Sequence, residues 1–277
     1  MKVFLFLSLF LSQSCSHLFY QPSARHFYDP AQFNITYKDV WFDSTDGTKL
    51  HGWFFPTTKK AKGTIIQFHG NAQNISTHFL SLVWLVNEGY NLFTFDYRGY
   101  GKSQGSSSQE GLYQDAVAAL KKGREFHLAH GQGHFIVYGQ SLGGIVLLRA
   151  LPDFEEKDEV SLLVLDSTFD SYQDIAFDKL KSRWFLWPFS PLAYLLVSDK
   201  YASDKFLNKI EQPTLVIVGD GDEVIPEKFG KQIYQNISAP KKWLWEIPGG
   251  GHIGVFHHNA VSFRKDFLRL LDKMSLD

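Results

Sequence analysis

The segment Gly139-Gln140-Ser141-Leu142-Gly143 constrains this chain more than any other five residues in it. It fits G-x-S-x-G, the sharp strand-to-helix turn that lifts a serine hydroxyl above a sheet. The flanks supply the context that the pattern needs. Residues 134–138, His-Phe-Ile-Val-Tyr, read as a short buried strand, and residues 144–150 read as the start of a buried helix. A nucleophile on such a turn has a strained backbone. Small neighbours at Gly139 and Gly143 let strand and helix approach each other closely. The N–H of Leu142, at the helix start, then points to where negative charge develops on a substrate oxygen. A glycine-rich loop with an ordinary serine would fit the five residues as well, so the rest of the chain decides.

Periodicity predicts strands at 35–42 and 49–55 joined by the turn Thr45-Asp46-Gly47-Thr48, then strands at 63–68, 91–96, 161–166, 214–219 and 243–247. Helices are predicted at 76–87, with Gly89 just past the end, at 109–126 and at about 258–274. An antiparallel start followed by strands alternating with helices implies an α/β sheet that becomes parallel. No fixed-period repeat or low-complexity linker divides the 277 residues, so one domain with an excursion is expected. Ligands of such sheets bind beyond the carboxyl ends of the strands. Asn71, Ser141, Asp222 and His252 all follow predicted strands directly.

A serine hydroxyl needs a base in hydrogen-bond reach, usually His, oriented by a carboxylate. In a G-x-S-x-G fold the chain order is Ser, then Asp or Glu, then His. Asp222 lies in the loop Gly219-Asp220-Gly221-Asp222-Glu223 after one strand, and His252 lies in Pro248-Gly249-Gly250-Gly251-His252 after the last. Asp220 and Asp166 are competing carboxylates. His257 and His258 compete with His252, while His51 falls in the antiparallel start. His69-Gly70-Asn71-Ala72 follows the third strand and is the expected second source of an oxyanion donor, from the N–H of Asn71 or of Ala72. His69 itself reads as a residue that holds this loop. Gly101-Lys102-Ser103 is not a phosphate-binding loop, because Asp96 stands where the earlier glycine belongs. No pair of histidines has the spacing that sets two metal ligands on one helix face.

Taken together, His69-Gly70-Asn71-Ala72, Asp96-Tyr97-Arg98-Gly99-Tyr100-Gly101-Lys102-Ser103, Gly139 to Gly143, Gly219 to Pro226 and Gly250-Gly251-His252 make the chain resemble the α/β-hydrolase superfamily of serine esterases and lipases. The resemblance is closest to its monoglyceride-lipase-like and serine-aminopeptidase-like branch and runs from about residue 36 onward. It implies a mostly parallel central sheet with helices on both faces and a helical cap insertion at about 168–208. It also implies a triad of Ser141, Asp222 and His252, favouring Asp222 over its competitors, with Asn71 and Leu142 as oxyanion donors. The implied chemistry is metal-free, cofactor-free cleavage of a carboxylic ester through an acyl-enzyme. Thioesterases and peptidases share the triad, and a non-catalytic binding module could keep the scaffold. The expected partner is a small acyl ester or a lipid-like substrate.

The excursion carries Trp184-Phe185-Leu186-Trp187-Pro188-Phe189 and Pro191 to Val197, which suits an acyl pocket, a membrane surface or plain burial. Two prolines and short length exclude a spanning helix there. At the start, Lys2 and an apolar run at 3–11 read as a signal peptide over residues 1–14, too short to span a bilayer. Cys15, the one cysteine, follows it and resembles a bacterial lipoprotein attachment site, although Ser12 stands where such signals carry Leu. The expectation is an exported protein, anchored through lipid on Cys15 or released, with residues 15–35 as a lead-in. A net charge of −1 without a basic stripe argues against nucleic acid.

Overall fold

The structure, a computed structural model, describes residues 20–130, 133–256 and 261–274. The expected signal segment, Cys15, His257 and His258 lie outside them. Eight strands form one sheet: β1 (Lys38–Asp43), β2 (Lys49–Phe55), β3 (Gly63–Phe68), β4 (Tyr90–Asp96), β5 (His134–Gln140), β6 (Leu162–Asp166), β7 (Thr214–Gly219) and β8 (Lys242–Ile247). Their spatial order is β1-β2-β4-β3-β5-β6-β7-β8. β2 pairs antiparallel with β1 and β4, and every other pair is parallel. The inner strands β3 to β7 are buried along their whole length, which is why they read as unbroken apolar runs. Edge strand β1 alternates exposed and buried toward its end, as a half-covered strand must.

Helices α1 (Ile75–His78), α2 (Gln109–His130), α3 (Leu142–Ala150), α4 (Tyr172–Lys181), α5 (Ala193–Leu196), α6 (Glu227–Asn236) and α7 (Val261–Met274) complete the described elements together with several 3-10 turns. One face of the sheet presents Phe54, Ile66, Phe93 and Val137 to α2, α3 and α6. The other presents Phe55, Ile65, Leu92 and Ile136 to α7 and to the stretch after β3. That stretch corrects the expectation of one helix over 76–87. It is a single turn, α1, followed by 3-10 turns at Phe79–Ser81 and Val83–Glu88. Side-chain donors take carbonyls that a continuous helix would use: Gln67 Nε2 bonds His78 O at 2.9 Å, Trp84 Nε1 bonds Ser81 O at 3.1 Å and Thr57 Oγ1 bonds Val86 O at 2.8 Å. Gly89 ends the stretch at φ 100°, in the left-handed cap that glycine supplies.

The excursion between β6 and β7 contains α4, a 3-10 turn at Trp187–Leu192, α5 and a second 3-10 turn at Asp204–Lys209. Its two ends meet: Asp170 O accepts from Ser203 N at 2.9 Å and from Asp204 N at 3.1 Å. The lead-in from residue 20 is irregular but tied down. Asn74 Nδ2 donates to Ser23 O at 2.8 Å and Arg25 O at 2.7 Å, and Gln21 N donates to Asn71 Oδ1 at 2.9 Å. No helix among the described residues is long and apolar enough to cross a membrane.

Candidate active site

Ser141 stands between β5 and α3 with φ 50° and ψ −116°, a conformation that side-chain-bearing residues rarely adopt. The surroundings hold it there. Ser141 N donates to Asp166 O at 2.9 Å, and its carbonyl accepts from Gly144 N at 2.9 Å and from Thr168 Oγ1 at 2.6 Å. The glycines act as the sequence implied. A Cβ at Gly143 would lie 2.0 Å from Phe68 O, and one at Gly139 would lie 2.7 Å from Gly144 Cα. Of the six described non-glycine residues with positive φ, five (Ala72, Gln73, Ser141, Ser167 and Ile253) cluster on loops that follow strand ends. Strain of this kind persists only where the neighbours over-determine it. Thr168 escaped the sequence reading, since nothing in its spacing marks a contact with a residue 27 positions earlier.

Three carboxylates competed for one role, and their contacts separate them. Asp222 Oδ2 lies 2.8 Å from His252 Nδ1, and Asp222 Oδ1 accepts from the N–H groups of Val224 and Ile225, each at 2.8 Å. Burial pushes this carboxyl up, but the His252 contact and the two N–H groups outweigh it and hold it below the ordinary carboxylate range. Asp220 instead accepts from Gly249 N at 2.6 Å, bracing the histidine loop. Asp166 is fully buried and accepts from Tyr138 Oη at 3.0 Å, with burial raising its carboxyl. The nitrogen of His252 that faces Asp222 must carry a proton, which leaves Nε2 with a lone pair. The histidine loop and the serine turn converge on Gly70: a methyl there would lie 3.2 Å from Ile253 Cδ1 and 3.5 Å from Ser141 Cβ.

The loop after β3 is tied by hydrogen bonds. Asn71 Oδ1 accepts from Tyr100 Oη at 2.7 Å, from Gln21 N at 2.9 Å and from Ala72 N at 3.0 Å. The last contact engages the N–H of Ala72, while Asn71 lines the same cleft as Ser141 and Leu142. Leu142 is the first residue of α3, so its N–H has no acceptor within the helix. His69 is fully buried with Nδ1 2.7 Å from Gly70 O. His78, which sequence reasoning passed over, places Nε2 3.1 Å from Ala72 O. Burial first, and then the neighbouring His69, push its imidazole down to about 3, so it is a neutral prop at ordinary pH.

Above Ser141 lies a cleft of about 580 Å³ whose walls include Phe169, Tyr172, Ile175, Leu192, Leu196 and Val224. Most of these come from the excursion, which therefore roofs the serine with apolar side chains. The excursion also exposes apolar side chains that do not line the cleft: Trp184 is 84% exposed, Leu195 80% and Trp187 60%.

Comparison with known proteins gives a consistent picture. A family model described as "alpha/beta hydrolase fold" matches residues 63–204. YfhR of Salmonella typhi is 33% identical over 279 residues, covering 93% of this chain and 90% of that protein. The alpha/beta hydrolase domain-containing protein WAV2 of Arabidopsis thaliana is 33% identical, covering 88% of this chain and 81% of that protein. Among solved structures, the esterase Pf2001 of Pyrococcus furiosus superposes with a TM-score of 0.75 at 22% identity, covering 93% of this chain and 98% of that one. Est1E of Butyrivibrio proteoclasticus, solved with ferulic acid bound, superposes with a TM-score of 0.64 at 18% identity, covering 84% of this chain and 99% of that one.

Proposed function

This chain belongs to the α/β-hydrolase fold family, and on that premise we propose that it is a serine hydrolase that cleaves carboxylic esters with apolar acyl groups. The observation that carries the reading is the 2.8 Å contact between His252 and a buried Asp222, together with a strained Ser141 that opens into an apolar cleft. Esterases are among the similar solved structures, which favours an ester over other acyl compounds.

In the proposed cycle Ser141 Oγ attacks the acyl carbon while His252 Nε2 takes its proton. The carbonyl π pair moves onto oxygen, where the N–H groups of Leu142 and Asn71 stabilise the charge. Collapse breaks the ester C–O bond, and His252 returns its proton to the departing alkoxide. Water then repeats the sequence on the acyl-serine, releasing the acid and restoring Ser141. Asp222, held ionised, keeps Nδ1–H of His252 in place and stabilises the imidazolium that forms at each transfer.

The exposed aromatic residues of the cap favour a substrate presented at a lipid surface. We also propose export, with lipid on Cys15 as the anchor, on the sequence grounds given above; the mass of the mature N-terminus tests this directly. The activity is tested with p-nitrophenyl esters of increasing acyl length and with a fluorophosphonate probe, on the wild type and on Ser141→Ala. Hydrolysis and labelling that disappear in the variant are expected, with an optimum at a medium or long acyl chain. Turnover unchanged by Ser141→Ala would overturn the assignment. Folded wild type that never labels would point to a binding module, and faster cleavage of thioesters or peptides to those classes.

A further inference from the structure

A second cluster of reactive side chains lies behind the loop after β3, and the proposed ester chemistry makes no use of it. His26 of the lead-in, His51 of β2 and Asp96 at the end of β4 place one ligand atom each within 4.8 Å of one another. His26 Nε2, His51 Nδ1 and Asp96 Oδ2 are buried and have no hydrogen-bond partner among the described residues. The side chains of His51 and Asp96 are completely out of water. Leaving such groups unpaired costs about 1–3 kcal/mol each, and more for a charge. Three of them converging on one point therefore calls for an occupant.

The surroundings specify its chemistry. His51 Nε2 lies 2.6 Å from Asp39 Oδ1, so that nitrogen carries the proton and Nδ1 turns a lone pair inward, 4.0 Å from Asp96 Oδ2. Trp53 Nε1 fixes the same Asp39 oxygen at 3.1 Å. A carboxylate bonded to the far nitrogen of an imidazole is the usual support for a metal-ligating histidine. Asp96 Oδ1 is satisfied by Ile75 N at 2.8 Å, so Oδ2 alone faces the cluster. A Cβ at Gly101 would fall 1.9 Å from Asp96 Oδ2, so glycine is what keeps the space beside that oxygen open. Among the described residues Asp39 meets one lysine, Lys102 Nζ at 3.9 Å, and Asp96 meets none, its Oδ1 lying 3.5 Å from His69 Nε2.

We propose that His26, His51 and Asp96 form a binding site for one first-row divalent cation, of which Zn²⁺ best suits two imidazoles and a carboxylate. Zinc–ligand bonds of about 2.0–2.2 Å set tetrahedral ligand atoms roughly 3.4 Å apart, so the side chains close in by about an ångström on binding. The site is structural. It pins the lead-in at His26 to the sheet, and residues 21–27 in turn hold the loop that carries Asn71: Ser23 N donates to Gln73 O at 3.2 Å and Phe27 N to Ser76 Oγ at 2.8 Å.

The test uses tag-free, metal-stripped full chain titrated with Co²⁺, whose visible absorption reports tetrahedral coordination, and then with Zn²⁺ in competition. One Co²⁺ per chain is expected, displaced by Zn²⁺. Zinc should also raise the Tm and slow tryptic cleavage after Arg25. His26→Ala should abolish the signal, and Asp39→Asn should weaken affinity about 10–100-fold; both sites reach the surface, so the variants fold, as circular dichroism checks. His127→Ala, a histidine of α2 outside the cluster, should change nothing. Absence of a stoichiometric Co²⁺ spectrum in the wild type overturns the proposal, as does binding that survives His26→Ala. A crystal grown with Zn²⁺ that shows only a water bonded to the three atoms overturns it too. None of these readouts depends on ester hydrolysis.

Discussion

Asp170 gives the sharpest test of the energetics. It leads from β6 into the cap, is 1% exposed, and has one oxygen bonded to Gln232 Nε2 at 3.3 Å and the other buried without a partner among the described residues. Burial above all, aided by the nearby charges of Asp204 and Asp174, raises its carboxyl from 3.8 to about 6. The folded protein therefore holds this proton more tightly than the unfolded chain. The resulting stability is complete below the unfolded value and is lost as pH rises through about 6. At about 1.4 kcal/mol for each pH unit between 3.8 and about 6, the ionised form costs the fold about 3 kcal/mol. Asp170→Asn keeps the shape and the Gln232 contact, and its amide adds a penalty of about 1 kcal/mol for a buried donor. The net gain at pH 7.5 is then about 2 kcal/mol, or roughly 5 °C in Tm for a domain of this size, while at pH 4 the two proteins agree within about 1 kcal/mol. Urea unfolding at both pH values is the assay. A stability difference that is the same at pH 4 and pH 7.5 would refute the reasoning, because only the ionisation of Asp170 makes it change.

Asp222→Asn should lower kcat for ester hydrolysis on the order of 10⁴-fold with little change in Tm; a small kinetic effect would move the orienting role to another carboxylate. Gly143→Ala should yield insoluble or severely destabilised protein, since its methyl would sit 2.0 Å from the Phe68 carbonyl and no rotamer moves it; soluble protein of normal Tm would contradict the close approach. Arg98 bonds both Asp115 and Asp46, with Nη2 2.8 Å from the buried Asp115 Oδ1 and Nη1 2.8 Å from Asp46 Oδ2. Arg98→Met strands the Asp115 charge and should cost about 3–5 kcal/mol in urea unfolding, a loss that Asp115→Asn in the same background should partly restore.

The positions of the strands and the serine turn were legible because both rest on local patterns. Unbroken apolar runs mark strands buried on two faces, and glycines mark a backbone that leaves no room for a methyl. The pairing of Asp222 with His252 was readable only through chain order and resemblance, because thirty residues separate them and nothing local links them. The 76–87 segment misled for the opposite reason. Its residues suit a helix, but the side chains of Gln67 in β3 and Thr57 just after β2 capture its carbonyls. Thr168 and the His26–His51–Asp96 cluster were invisible for a related cause: each contact is assembled by the fold from positions that are distant in the chain. The sheet orders β4 before β3, which brings Asp96 beside His51, and no periodicity in the sequence announces that crossover.

The cap leaves and rejoins the sheet at almost one point, where Asp170 O meets the N–H groups of Ser203 and Asp204. The residues between are thus a closed side-loop on a path that is continuous without them. A glycine or two bridging Asp170 to Ser203 would carry the chain straight from β6 toward β7, leaving β5, β7, β8 and their loops untouched. Such an insert is an interchangeable cassette: its length and apolar walls can drift under selection, or be swapped by design, while the reacting atoms stay in register on the sheet beneath. On the proposed function, most of the cleft's apolar wall and the residues that cleave the bond belong to separate segments of the chain.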